Sequence, residues 1–112
     1  NTSGNGNTSI GAGSGYDNET GTNNTLVGYN TGVQVDGLNN ATAIGANTYA
    51  GSSNSLILGN NANVGIGTIS PTAKLEVIGN IKITDGTEGI GKVLEGAHGV
   101  TRHPILTRNW PT

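Results

Sequence analysis

A short phrase occurs four times between Asn7 and Gly59, and this repetition constrains the fold more than any other feature of the chain. It reads NTSIG from Asn7, NTLVG from Asn24, NATAIG from Asn40 and NSLILG from Asn54. The glycines that close the four phrases are 17, 17 and 14 residues apart. Self-similarity at a short period is the signature of a solenoid or an array. We therefore expect each repeat to form one coil of a solenoid.

The composition favours a thin solenoid over an ordinary globular core. The 112 residues include 20 Gly, only 32% are hydrophobic and 11% are charged, and the formal net charge is −2. So few apolar residues do not fill a globular core, while disorder usually comes with a high net charge. Stacked coils need only a narrow core because each coil is supported by its neighbours.

Each repeat predicts a short strand that ends at its closing glycine. The strands carry apolar residues at consecutive positions, as in Leu26-Val27 and in the run 56–58. Because neighbouring side chains of a strand point to opposite faces, both faces are expected to be buried. A slim solenoid has only one interior, so the second buried face requires another chain. We therefore expect an oligomer that buries Val27, Ile44 and Leu58.

The corners between strands need residues that tolerate positive φ. Gly follows each strand, and we expect φ > 0 there because Gly, and then Asn, adopts it at the lowest cost, at Gly28, Gly45 and Gly59. Asparagines suited to tight turns come soon afterwards, at Asn30, Asn47, Asn60 and Asn61. The asparagines that open the phrases either stack as a hydrogen-bonded ladder or serve the turns: Asn7, Asn24, Asn40 and Asn54.

A second, weaker strand is predicted in the remainder of each coil. Its positions share the 17-residue spacing and are Tyr16, Val33 and Ala50. Two strands in each coil predict an all-β chain.

The repeat period ends at Ala62, and the chain then changes character. The Gly-rich stretch 63–72, which Pro71 closes, predicts a tight crossing without ladder pairing. Apolar and polar residues alternate in 74–77 and 81–83, which predicts amphipathic strands. We divide the chain into β-roll repeats (1–68), a β-strand neck (69–95) and a terminal tail or cap (96–112).

The phrase from Asn40 to Gly45 resembles the head repeats of trimeric autotransporter adhesins, which read Asn-x-Ala-x-Ala-Ile-Gly. A wider likeness covers roughly 7–95 and resembles the repeat-and-neck region of tail-fibre-like surface proteins of bacteria and phages. It rests on three segments in the expected order: 24–32, 64–77 and 79–83. The resemblance implies a left-handed parallel β-roll followed by a β-strand neck, assembled as an intertwined parallel homotrimer. It also implies an extracellular place, on the bacterial cell surface or on a virion.

Several classes of function receive no support from the residues. The Lys and Arg residues all follow position 73 and are not clustered, so we expect no nucleic-acid partner. No apolar run approaches the roughly 20 residues of a membrane span. There is no Cys and no Gly-x-Ser-x-Gly motif, and the two histidines, His98 and His103, lack an adjacent third ligand. We therefore expect no metal, no cofactor and no enzymatic activity.

The leading hypothesis is a structural and adhesive segment of a trimeric extracellular fibre that attaches to cells, through a surface glycan or a protein receptor. One alternative is a segment of a bacteriophage tail fibre that binds a receptor. Another is a monomeric β-solenoid that binds ice or polysaccharide.

Specific binding is predicted where the composition becomes unique, in the tail. Charge, hydrogen bonding and a stacking surface are offered there by Arg102, His103, Arg108 and Trp110. The competing interpretation is that the tail caps the last coil, because an open solenoid end exposes core and strand edges.

Overall fold

The computed structural model describes residues 1–84, which form an all-β chain whose parallel strands build a β-solenoid of about three turns. The strands are β1 (Thr8–Ile10), β2 (Thr25–Val27), β3 (Gly32–Val33), β4 (Ala41–Ile44), β5 (Tyr49–Ala50), β6 (Ser55–Leu58), β7 (Val64–Ile66) and β8 (Leu75–Val77). Three parallel sheets result, in the orders β1-β2-β4-β6, β3-β5 and β7-β8.

The repeat spacing appears directly as strand register in the first sheet. Thr8 pairs with Thr25 and Thr25 pairs with Thr42, so one coil takes 17 residues. Thr42 then pairs with Leu56, so the next coil takes 14. The prediction of one strand per phrase, ending at the closing glycine, is confirmed.

The core is as narrow as the composition predicts. It consists of small and medium side chains, Leu26, Val33, Leu38, Ala41, Ala43 and Ala50, with Ile57 packed against them. Polar side chains share the interior with these residues: Asn18, Asn24, Thr31 and Thr48. Within residues 1–84, every buried side-chain nitrogen and oxygen has a hydrogen-bond partner. This agrees with the rule that buried polar groups are paired.

Glycine and asparagine turn the corners. The predicted positive φ at the closing glycines is confirmed, at 138° for Gly28, 123° for Gly45 and 79° for Gly59. Asparagines also take positive φ, in two columns that follow the coil spacing: Asn23, Asn40 and Asn54, and Asn30, Asn47 and Asn61. The column positions repeat because each coil must turn at the same place to stack on the one before.

The asparagines that open the phrases divide between the two proposed roles. The Asn24 N–H donates to Asn7 Oδ1, and the Ala41 N–H donates to Asn24 Oδ1, both at 2.8 Å, so this column is a ladder. Asn40 and Asn54 lie at the turns, one position earlier, with φ of 57° and 58°. The shift follows from the phrases themselves, because the third and fourth carry one residue more between Asn and Gly.

The weaker strand of each coil is confirmed at Val33 and Ala50, which pair in register. The corresponding prediction at Tyr16 is wrong. Tyr16 lies outside the strands and its side chain is 84% exposed.

The region after the repeats departs from the prediction in two ways. The stretch predicted as a crossing contains β7, which pairs in parallel with β8 at an 11-residue offset. The alternation of Val64, Gly65 and Ile66 was the signal for this strand. Contacts divide the chain into units 1–78 and 79–112, and 79–84, the described part of the second, holds no strand. The amphipathic strand predicted at 81–83 is therefore wrong, whereas the strand predicted at 91–94 lies outside the described residues.

Candidate interaction surface

One face of the β1-β2-β4-β6 sheet carries a regular array of outward side chains. Strand register aligns them in two columns, which we call together the outer face: Ile10, Val27, Ile44 and Leu58, and Thr8, Thr25, Thr42 and Leu56. The residues between them form the inner column, in which Leu26 and Ala43 are fully buried. Each strand thus presents one residue of the core between two residues of the outer face.

The outer face is apolar and accessible in the single chain. The exposed fraction is 59% for Ile10, 41% for Ile44, 61% for Leu56 and 45% for Leu58. Val27 is half-buried, and no charged side chain occurs on the face. A contiguous exposed apolar patch of this kind marks an interaction surface. The chain does not bury Ile44 and Leu58 by itself, so their burial in an oligomer stays a prediction.

Backbone bonds at the strand ends keep the face in register. The Gly28 N–H donates to the Ile10 carbonyl at 2.8 Å, and the Gly45 N–H donates to the Val27 carbonyl at 2.9 Å. The Gly59 N–H donates to the Ile44 carbonyl at 2.8 Å. Adjacent strands therefore lie at the usual spacing of about 4.8 Å, and the four strands form a platform roughly 14 Å across.

A carboxylate fastens two coils together on another side of the solenoid. Asp36 Oδ1 accepts hydrogen bonds from the N–H groups of Thr20 and Glu19, and Asp36 Oδ2 accepts one from the Thr20 hydroxyl. These bonds, first the Thr20 N–H and then its hydroxyl, lower the pKa of Asp36 from 3.8 to about 2. All the polar capacity of this carboxylate serves the stacking of coils, so it is not a candidate site.

The residues predicted to bind a ligand, Arg102, His103, Arg108 and Trp110, lie outside the described residues, as does His98. Sequence reasoning predicted buried apolar positions but did not recognise the outer face as one surface. The signal was present, because Thr-x-Ile, Thr-x-Val and Thr-x-Ile recur at the 17-residue spacing.

Two further features were searched for in residues 1–84. That part of the chain contains no group of three or more His, Cys, Asp or Glu side chains placed to hold a metal ion. It also contains no helix with the length and apolarity required to cross a membrane. Comparisons of the chain with protein-family models, with curated proteins and with solved structures found no match.

Proposed function

We propose that this chain is a structural and adhesive segment of an extracellular fibre, in which three parallel copies pack their outer faces together. The observation that carries the proposal is the apolar outer face itself, exposed on a chain whose own core is small. A core of this size gives marginal stability, and association is a common way for small folds to increase it.

The magnitude of the effect is sufficient to drive assembly. Complete burial of a Leu or Ile side chain is worth about 1.5–3 kcal/mol, so burying the exposed half of one contributes about 1 kcal/mol. Four such side chains, Ile10, Ile44, Leu56 and Leu58, give roughly 4 kcal/mol for each copy before the entropy of association is subtracted. Closed cyclic assemblies repeat one interface in every subunit, so each copy in a trimer gains from two neighbours.

A stacked, trimeric solenoid is suited to a mechanical role. Coils extend the rod at a constant register, and the exposed residues of each coil are repeated along it and around its axis. Weak contacts to a surface glycan or to a protein receptor would then add through multivalency. This places the chain outside the cell, on a bacterial surface or on a virion, and assigns it no enzymatic step.

The test is the molar mass of the full chain in solution, measured by light scattering at micromolar concentration. We expect three times the chain mass of 11.2 kDa. Ile44→Lys places a charge in the middle of the outer face and is expected to dissociate the trimer. Val35→Lys is the matched control, since Val35 is 54% exposed and lies outside the sheet that carries the outer face.

Circular dichroism of both variants separates loss of assembly from loss of folding. A wild-type chain that has the mass of a monomer at this concentration refutes the proposal. So does an Ile44→Lys variant that keeps its β-sheet spectrum and the mass of a trimer.

One observation favours a second candidate function for the same face. Thr8, Thr25 and Thr42 stand in register on three successive strands, which gives a regular row of hydroxyl and methyl groups on a flat sheet. A monomeric solenoid could bind ice or an insoluble polysaccharide through such a row. This alternative requires a monomer mass together with inhibition of ice recrystallisation or co-sedimentation with cellulose or chitin, and both are lost in Thr25→Lys.

A further inference from the structure

The shortening of the third coil opens a groove beside β5. The coil from Gly28 to Gly45 takes 17 residues, whereas the coil from Gly45 to Gly59 takes 14. The first sheet continues into β6, but in the described residues β5 pairs only with β3, so its other edge has no strand. A cavity of about 280 Å³ lies there, lined by Asn47, Thr48, Tyr49, Ile57, Gly59, Asn60 and Asn61.

Three amides are fixed around this groove. Asn60 Nδ2 donates to the Asn47 carbonyl at 3.0 Å, and Asn30 Nδ2 donates to Asn47 Oδ1 at 3.1 Å. Lys74 Nζ donates to Asn61 Oδ1 at 2.8 Å. Within residues 1–84, the Nδ2 groups of Asn47 and Asn61 and the Oδ1 of Asn60 remain without a protein partner. The groove therefore presents both donors and an acceptor at positions that the turns determine.

The groove also has an aromatic wall. The Tyr49 ring lies against the backbone of Gly32 in the preceding coil, where a Cβ atom would approach Tyr49 Cε1 to 2.9 Å. Gly32 is thus the residue that allows the ring to pack there. The Tyr49 side chain remains 38% exposed, and Ile57 adds an aliphatic surface to the lining.

This combination selects a class of ligand. None of the lining side chains carries a formal charge, which disfavours phosphate, sulfate and carboxylate ligands. Sugar hydroxyls both donate and accept hydrogen bonds, as amides do, and the C–H face of a sugar ring packs on an aromatic side chain. The volume is slightly below the range of about 300–1,000 Å³ typical of sites for drug-sized ligands.

We propose that the groove beside β5 binds a neutral saccharide, one or two rings in size, through Tyr49, Asn47, Asn60 and Asn61. The inference rests on the proposed fibre only for its avidity, since three copies of the groove would occur around the axis. It places a carbohydrate contact in the repeats, at the one described position where the coil length changes, in addition to the contact predicted for the tail.

The test is a titration of the ¹⁵N-labelled full chain with the methyl glycosides of glucose, galactose, mannose and N-acetylglucosamine. We expect at least one of them to shift the amide signals of 47–51 and 59–61 with millimolar affinity. Tyr49→Ala and Asn61→Gly are each expected to weaken that binding about five- to tenfold. Glycine at position 61 keeps the positive φ of 58° while removing the amide.

Two matched variants serve as controls. Tyr16→Ala removes a Tyr that is 84% exposed, and Asn23→Gly removes an amide at a φ of 61°, both outside the groove. Both should leave the affinity unchanged. The proposal is overturned if none of the four glycosides shifts these signals at about 50 mM, or if Tyr49→Ala binds as well as the wild type. A response to N-acetylneuraminic acid alone also overturns it.

The outcome is independent of the measurement of mass. A chain that is monomeric but binds a glycoside in the groove disproves the trimeric fibre and supports the saccharide site. A trimer without glycoside binding supports the fibre and disproves this site.

Discussion

The sharpest prediction concerns Gly28, the corner that follows β2. Its φ is 138°, beyond the left-handed region in which Asn is tolerated. A Cβ atom built on Gly28 would lie 2.8 Å from both the carbonyl carbon and the carbonyl oxygen of Gly45 in the next coil. That backbone cannot move away easily, because the Gly45 N–H is bonded to the Val27 carbonyl at 2.9 Å. Gly28→Ala must therefore strain the backbone and also disturb the stacking of coils.

The expected cost follows from these two effects. A residue held in a sparsely populated backbone conformation costs about 1–3 kcal/mol, and overpacking against fixed neighbours costs about as much. We expect Gly28→Ala to lower the free energy of unfolding by about 2–4 kcal/mol per chain. Gly37→Ala is the matched control, because its φ of 84° is also positive but the nearest atom to its Cβ is 3.6 Å away. Only strain acts there, about 1–2 kcal/mol.

The assay is thermal unfolding followed by far-ultraviolet circular dichroism at one fixed chain concentration, since the melting temperature of an oligomer depends on concentration. The entropic effect of replacing Gly by Ala in the unfolded chain is common to both variants and cancels in the comparison. A difference of at least about 1 kcal/mol corresponds to about 4–8 °C in a domain of this size. Equal melting temperatures for Gly28→Ala and Gly37→Ala would show that the close approach of coils at this corner is wrong.

Three further predictions concern the interior and the fastening of coils. Leu26→Ala should lower the free energy of unfolding by about 2–5 kcal/mol because Leu26 is fully buried in the centre of the core; chemical denaturation measures it, and a loss below about 1 kcal/mol contradicts the assigned core. Asn24→Ala should cost about 1–3 kcal/mol by leaving the Leu38 carbonyl and the Ala41 N–H unpaired, and an unchanged denaturation midpoint would exclude the ladder. The low pKa of Asp36 means that its stabilising effect is complete above about pH 4 and is lost as the pH falls through about 2. Over this interval the melting temperature of the wild type should fall more than that of Asp36→Asn, and parallel profiles would show that the fastening is not formed.

Much of the fold could be predicted because the chain repeats itself. A fixed period forces equivalent residues to stack, so the strand ending at Gly28 and the strand ending at Gly45 had to pair once coils formed. The positive φ at these glycines follows from the absence of Cβ and needs no tertiary information. The asparagines of the turns could be identified for the same local reason, and the composition alone indicated a narrow core.

Other features depended on contacts that no local pattern specifies. Val64 to Ile66 pair with Leu75 to Val77 across a loop that contains Pro71, and a pattern of two alternating apolar residues was too short to predict it. The groove beside β5 exists because one sheet continues after the coil shortens while the other does not. Sequence spacing showed the shorter coil but not which sheet would lose its partner.

The sequence by itself determined that the chain coils, where it turns and that its strands are apolar on both sides. Only the tertiary structure decided which side of each strand is the inside. Leu26 and Val27 are equally apolar, and Leu26 is enclosed because the return strand with Val33 closes the coil on its side. Val27 is left on the outer face with Ile44. Alternation in a strand fixes two faces, but only closure of the coil assigns one of them to the core and leaves the other for a partner.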